Sequence, residues 1–167
     1  DFRRVFGLAR AAGFSISVDL MYGLPDQTLE GFLSGLDRTL DLEPEHVSIY
    51  GLQVEDKTLF ARRGVEADQD LGREMFEAAL ERLARGGWRH YELSNFARRG
   101  NESIHNRNYW HGGEYVGLGC GSASYIGGER TSNDERLGPY IESCLAGRRP
   151  IAESERLEGK EKLGETA

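Results

Sequence analysis

An aspartate at position 19 lies in a segment that has the alternating pattern of a β-strand. Apolar residues at positions 14, 16, 18 and 20 alternate with Ser15, Ser17, Asp19 and Met21, so the two faces of the strand differ in polarity. If the apolar face packs on helices, the other face directs Asp19 toward an interior that expects a polar partner. A charged group inside a sheet costs free energy unless it is paired or meets a ligand. Asp19 is therefore a candidate binding residue.

The densest cluster of chemically capable residue types is the run His-Asn-Arg-Asn-Tyr-Trp at positions 105–110. Its imidazole can ligate iron, its two large rings can stack on a ligand, and the guanidinium groups of Arg98, Arg99 and Arg107 can pair with carboxylates. These are the properties that binding of a planar anionic macrocycle requires. The alternative is that the polar residues satisfy loop backbone and that the aromatic residues belong to the core.

Further candidates lie at the ends of predicted strands and in a glycine run. Gln53 follows the second predicted strand, at the carboxyl edge where α/β proteins bind ligands, or it is a plain loop residue. Ser94 and Asn95 end the third predicted strand, where they either face a ligand or begin a loop. The run Gly-Leu-Gly-Cys-Gly at 117–121 precedes an extended segment rather than a helix, which argues against a dinucleotide-binding fingerprint. It predicts instead a close backbone approach that only glycine permits.

Helices and strands alternate through the first 96 residues. Apolar periodicity predicts helices at 1–12, 28–43 and 69–85, strands at 14–22, 47–52 and 88–96, and a loop at 54–68. The first helix is expected to use Val5, Leu8, Ala9 and Ala12 as its apolar face. This order predicts βα units on a parallel sheet with right-handed crossovers. After position 96 the glycine-rich sequence predicts short β segments and loops, with a short helix at 140–145.

Length and composition exclude several classes of protein. The 167 residues are enough for one sizeable core, and the net charge of −7 argues against a sequence-independent nucleic-acid binder. The chain has no apolar run of the roughly 18 residues that a membrane span needs. Two distant cysteines without CxxC spacing predict a reducing, cytoplasmic setting and no metal site built from this chain alone. The absence of an initial Met and a charged, helix-like run at 153–162 predict an internal fragment of a longer protein.

Three motifs in order carry a resemblance to a known family. They are Val-Asp-Leu-Met-Tyr-Gly-Leu-Pro-Asp-Gln-Thr at 18–28, His-Tyr-Glu-Leu-Ser-Asn-Phe-Ala at 90–97, and the run at 105–110. The chain closely resembles the oxygen-independent coproporphyrinogen III oxidase-like radical SAM family over nearly its whole length. The resemblance implies an α/β fold: the C-terminal half of a partial (β/α)6 radical SAM barrel at 1–96, a Gly/aromatic-rich β segment at 97–150, and the start of a helical domain at 151–167.

The same resemblance implies cofactors and cofactor-binding residues. In this family a [4Fe–4S] cluster on a CxxxCxxC loop reduces S-adenosylmethionine (SAM) to a 5′-deoxyadenosyl radical. By this resemblance Asp19 falls at a SAM-contacting carboxylate, Gln53 at a SAM-neighbouring position on the next strand, and Ala123 at a further backbone contact near the cofactor. The chain contains no CxxxCxxC motif, so the resemblance implies that the cluster ligands lie outside it and that the chain alone does not reduce SAM.

The family divides into oxidases that oxidatively decarboxylate coproporphyrinogen III and HemW-type proteins, which are regarded as haem chaperones. The segments 91–96 and 105–110 resemble the HemW-type branch. This implies that His105 is haem-associated, with a neutral imidazole as axial ligand, together with Tyr109 and Trp110. The implied partners are SAM, a tetrapyrrole and haem-receiving respiratory proteins, with no nucleic acid. The decarboxylase remains the alternative.

Overall fold

The computed structural model describes residues 1–156, and the chain divides into two compact units, Asp1–Glu102 and Ser103–Ala167. Both units combine helices with strands, which confirms the predicted α/β class. Within the described residues, no helix has the length and apolar character needed to cross a membrane.

The first unit follows the predicted alternation of helices and strands closely. Thr28 caps the second helix, because its Oγ1 accepts a hydrogen bond from the Gly31 amide at 3.1 Å. The region 54–68, predicted as a loop, contains one short helix. The elements are α1 (Phe2–Ala11), β1 (Ser17–Tyr22), α2 (Leu29–Leu40), β2 (His46–Gly51), α3 (Leu59–Arg62), α4 (Gln69–Arg85), β3 (Arg89–His90) and β4 (Asn95–Ala97).

The sheet of this unit has the strand order β1-β2-β4-β3. β1 and β2 are parallel, as predicted, but β4 is antiparallel to β2, so the prediction of one parallel strand over 88–96 is wrong. The chain reverses at 91–94, where the His90 ring hydrogen-bonds the Leu93 carbonyl at 3.1 Å and the Tyr91 amide donates to the Asn95 carbonyl. His90 also stacks on Phe96 with ring centroids 4.5 Å apart, and this tight turn inserts β4 between β2 and β3.

The core of the first unit lies between the sheet and the helices α2 and α4. It contains Phe32 and Leu36 of α2 and Met75 and Leu83 of α4, together with buried residues of β2 and β4. The predicted apolar face of α1 is wrong, since Val5 and Leu8 are exposed whereas Phe6 is buried beneath the Arg10 guanidinium. Periodicity identifies residues that share a helix face, but it does not identify which face a neighbouring element covers.

The second unit is built on the antiparallel sheet β5-β6-β7. The extended segment after the glycine run is confirmed as β5, and the predicted short helix is confirmed with an earlier start. Two expectations are wrong. Residues 105–110 are helical rather than a loop, and residues 151–156 form a strand rather than the start of a helical domain. The remaining residues of that expected domain, 157–167, lie outside the described part. The elements are α5 (Ile104–Trp110), β5 (Ala123–Ile126), β6 (Glu129–Asn133), α6 (Leu137–Leu145) and β7 (Ile151–Arg156).

Candidate functional site

The face of the first sheet that points away from α2 and α4 carries a row of polar side chains. Asp19 of β1 is in register with Ser48 of β2, and Ser48 is in register with Asn95 of β4. In-register residues lie on the same face of a sheet, so the three side chains form one line across three strands. We call Asp19, Ser48 and Asn95 the polar row. The alternation of apolar and polar residues in β1 and β2 produces it, because Leu20 and Ile49 point to the opposite, helix-covered face.

Burial changes sharply along the polar row. Ser48 and Asn95 are buried, whereas Asp19 is exposed. The expectation that Asp19 lies inside an enclosing interior is therefore not met by residues 1–156. Position on the sheet face follows from the strand period alone, but enclosure depends on elements that cover the face. The Asp19 carboxylate is consequently accessible to a ligand.

His46 lies beside the polar row on the same face. Its Nδ1 is 2.8 Å from the Ser17 hydroxyl, its Nε2 is 2.7 Å from the Tyr91 hydroxyl, and the Tyr91 ring meets it edge-on. Burial lowers the pKa of His46 below its usual value of 6.5, although the charges of Asp19 and Glu92 act in the opposite direction. The imidazole is thus held neutral with both nitrogens engaged. These contacts give His46 a buried, structural position.

Gln53 lies at a cavity of about 560 Å³ at the carboxyl edge of β1 and β2. The cavity is also lined by Tyr22, Tyr50, Gly51 and Ser94 and by residues at the start of α4. This edge is the place where ligands of α/β sheets bind. Asp19 lines a different hollow, so the structure places the two residues in one unit but at separate positions.

The turn after β1 depends on Gln27, which the sequence motifs did not single out as a structural residue. Gln27 accepts a hydrogen bond from the Leu24 amide at 3.2 Å, and its own amide donates to the Met21 carbonyl at 3.2 Å. Gly23 has a φ of 72°, which favours glycine at this point. Gln27 therefore braces the turn at the carboxyl end of β1. Its place in a Gly-Leu-Pro-Asp-Gln turn was the available signal.

His105, Tyr109 and Trp110 are brought together on α5. Ser103 caps this helix by accepting a hydrogen bond from the Asn106 amide at 3.2 Å. His105 and Tyr109 are one turn apart, and their rings meet edge-to-face with centroids 4.8 Å apart. All three side chains are exposed, although the Tyr109 ring also packs against Tyr115 with centroids 4.4 Å apart.

Ala123 begins β5 in the second unit, next to the glycine run. A Cβ on Gly117 would lie 2.1 Å from the Ala123 carbonyl oxygen, so the predicted close backbone approach at this run is present. The Gly117 amide also donates to the Ser124 hydroxyl at 2.9 Å. Ala123 lines a shallow groove together with Arg130, Ser132 and residues of β7.

The described residues do not supply a cluster-binding site. Among residues 1–156 no three His, Cys, Asp or Glu side chains are grouped so that they could hold a metal ion. Cys120 donates from its sulfur to the carbonyl oxygens of Asp134 and Glu135, and Cys144 is exposed on α6. The side chains present therefore do not fit the three thiolates that the CxxxCxxC motif of the family provides.

Comparison with known proteins gives consistent results. No family model matches the chain. The chain is 37% identical to "Heme chaperone HemW" of Bacillus subtilis (strain 168) over 166 residues, which are 96% of this chain and 44% of that protein. It is 42% identical to "Heme chaperone HemW" of Escherichia coli (strain K12) over 122 residues, or 72% of this chain and 32% of that protein.

A solved structure, coproporphyrinogen III oxidase (HemN) from Escherichia coli, described as a radical SAM enzyme, has the same fold. The TM-score is 0.81 with 21% sequence identity, over 99% of this chain and 43% of that chain. The chain therefore spans less than half the length of the relatives it matches. On these similarities the chain belongs to the HemW-type branch of the oxygen-independent coproporphyrinogen III oxidase-like radical SAM family.

Proposed function

We propose that this chain is part of a haem chaperone that binds SAM on the polar face of its first unit and haem at α5. The relatives that carry the name heme chaperone match up to 96% of the chain, which supports the haem-related function. A cytoplasmic location and transfer of haem to respiratory proteins belong to the same proposal.

Asp19 and Gln53 are the proposed SAM-binding residues. The Asp19 carboxylate is exposed on a sheet face and lies in register with a buried hydroxyl, which suits an ammonium or hydroxyl donor of a ligand. Gln53 lines the cavity at the strand ends and offers both a donor and an acceptor. These residue types fit the polar groups of SAM.

The [4Fe–4S] cluster that the family implies would supply one-electron reduction of bound SAM. Because the described side chains do not fit such a cluster, no step of this proposal passes through it. The role proposed for this chain is to bind and orient SAM and haem. Both roles can be measured without turnover.

The exposed imidazole of His105 is the observation that carries the haem proposal. It packs edge-on against Tyr109, and the exposed Trp110 lies on the same short helix. A neutral imidazole is a common axial ligand of haem iron, and large rings contact the porphyrin plane. The residues of α5 therefore fit haem.

Titration of haem into the full-length protein tests this role of His105. We expect His105→Ala to weaken haem binding at least about tenfold and to change the Soret band, because an axial ligand is lost. His111→Ala is the matched control, since His111 is also exposed but its Nδ1 hydrogen-bonds the Arg107 carbonyl. Unchanged affinity and an unchanged Soret band in His105→Ala would remove this residue from the site.

Equilibrium dialysis of SAM against the full-length protein tests Asp19. A hydrogen bond to a charged group contributes about 1.5–3 kcal/mol, so Asp19→Asn should weaken SAM binding by about 10- to 100-fold. Asp41→Asn, at the exposed end of α2, should leave the affinity unchanged. Equal affinities in Asp19→Asn and the parent protein would contradict the proposed SAM site.

The decarboxylase alternative differs in an observable product. An anaerobic assay with coproporphyrinogen III, reductant and SAM distinguishes it from a chaperone. Formation of protoporphyrinogen IX would favour the oxidase, whereas haem binding without this product supports the chaperone.

A further inference from the structure

The polar row contains a buried acceptor whose hydrogen bond is not made. Among residues 1–156, Asn95 Oδ1 is the buried side-chain oxygen or nitrogen atom that has no hydrogen-bond partner, and the residue is only 4% exposed. Buried polar atoms in native proteins are nearly always satisfied, because burial without a partner costs free energy. An exception of this kind requires a physical reason.

The nearby imidazole does not satisfy this acceptor. His46 lies two residues before Ser48 on β2 and therefore on the same face. Ser48 is the register partner of Asn95. Its two nitrogens are engaged by Ser17 and Tyr91, at 2.8 and 2.7 Å. A change in the His46 tautomer would therefore not provide a hydrogen-bond donor to Asn95 Oδ1.

The position of Asn95 relates it to the proposed SAM-binding carboxylate. Ser48 is the register partner of Asn95 on one side and of Asp19 on the other. Neighbouring strands are about 4.8 Å apart, so Asp19 and Asn95 lie roughly 10 Å apart at the backbone, with their side chains on one face. One medium-sized ligand can span this distance. Both ends of the row then present acceptors to it.

We propose that Asn95 is a ligand-contacting residue whose Oδ1 accepts a hydrogen bond from an N–H or O–H group of the molecule bound on the polar row. This inference rests on the proposed function, because it assigns Asn95 to the same site as Asp19. The donor can come from the ammonium or hydroxyl groups of SAM or from the pyrrole N–H groups of a reduced tetrapyrrole. Haem offers no pyrrole N–H, since iron occupies its nitrogens.

Two substitutions at Asn95 distinguish the effect of losing the hydrogen-bond acceptor from the effect of changing the side-chain volume. Asn95→Leu has nearly the same volume and no acceptor, whereas Asn95→Asp keeps an oxygen in place. Asn101→Leu, at an exposed asparagine of the same unit, is the matched control. The experiment measures three dissociation constants in the full-length protein: for SAM, for haem, and for coproporphyrinogen III kept reduced under anaerobic conditions. The unfolding midpoint of each variant is measured as well.

We expect Asn95→Leu to weaken binding of SAM or of coproporphyrinogen III at least about tenfold, with an unfolding midpoint equal to or above that of the parent. The ligand that loses affinity identifies the donor. Asn95→Asp should bind that ligand within about threefold of the parent, and haem binding and Asn101→Leu should be unchanged.

The proposal is overturned if Asn95→Leu leaves both affinities unchanged. It is also overturned if Asn95→Leu lowers the unfolding midpoint and weakens SAM, coproporphyrinogen III and haem equally, because the loss of affinity would then follow from a disturbed fold. Asp19→Asn is measured in parallel to separate the two proposals. If Asp19→Asn weakens SAM binding and Asn95→Leu affects neither ligand, the role of Asn95 alone is wrong; if Asp19→Asn also has no effect, the SAM site itself is wrong.

Discussion

Replacing Gly51 by alanine tests how tightly the cavity at the strand ends is packed. A Cβ at this position would lie 3.0 Å from both Cζ and Oη of the Tyr22 ring. Tyr22 cannot retreat freely, since its ring packs against Phe32 and Phe76 with centroids 5.9 and 5.8 Å away. Gly51 and Tyr22 both line the cavity that contains Gln53. The new methyl group therefore forces a movement of the cavity wall.

The expected size of the effect follows from two opposing contributions. Overpacking a well-packed site costs about 1–3 kcal/mol, and replacing glycine by alanine in a strand returns about 0.5–1 kcal/mol of backbone entropy. We expect Gly51→Ala to reduce the free energy of unfolding by up to about 2.5 kcal/mol. Gly35→Ala in α2 is the control, because a Cβ there meets nothing within 4 Å, and it should stabilise the fold by up to about 1 kcal/mol.

Urea unfolding of the single and double variants measures this energy. The smaller side chain in Tyr22→Leu should remove the clash, so adding Gly51→Ala to Tyr22→Leu should cause no further loss of stability. A Gly51→Ala variant more stable than the parent would refute the packing argument. The packing argument would also be refuted if Gly51→Ala caused the same loss of unfolding free energy in the parent protein and in the Tyr22→Leu variant.

Three further predictions concern other parts of the fold. Desolvation raises the pKa of Glu45, but hydrogen bonds from Arg10 and the Ile16 amide outweigh it and lower the pKa below 4.5. Its contribution to stability is therefore lost as the pH falls below 4.5, and Glu45→Gln should flatten that part of a pH series of urea midpoints. Burial lowers the pKa of His46, so its protonation favours unfolding, and His46→Phe should abolish the loss of stability that begins as the pH falls below 6.5. Gly117→Ala places a methyl group on a backbone oxygen and should destabilise the second unit by about 3 kcal/mol or more, measured by hydrogen exchange of β5.

Several features of the fold could be predicted because local chemistry determines them. Thr28 signals a helix start through its side chain, and Phe32 and Leu36 follow the helical period that places them in the core. The parallel pairing of β1 with β2 follows from the intervening helix. These signals are contained within one element or one connection.

The features that were not predicted depend on long-range packing. The segment 88–96 has a strand-like composition throughout, and the reversal at 91–94 depends on His90 stacking on Phe96. α5 lacks a clear apolar stripe, and only the capping residue Ser103 marks its start. Asn95 was open to two interpretations at the end of a strand, and its unmet acceptor is visible only once β4 lies beside β2.

The central claim is that the polar face of the first sheet binds SAM. A solved structure of the full-length protein with bound SAM tests it most directly. The account predicts a donor group of SAM at about 2.7–3.2 Å from an Asp19 carboxylate oxygen, on the sheet face opposite α2 and α4. SAM bound elsewhere, with Asp19 surrounded by solvent, would contradict it.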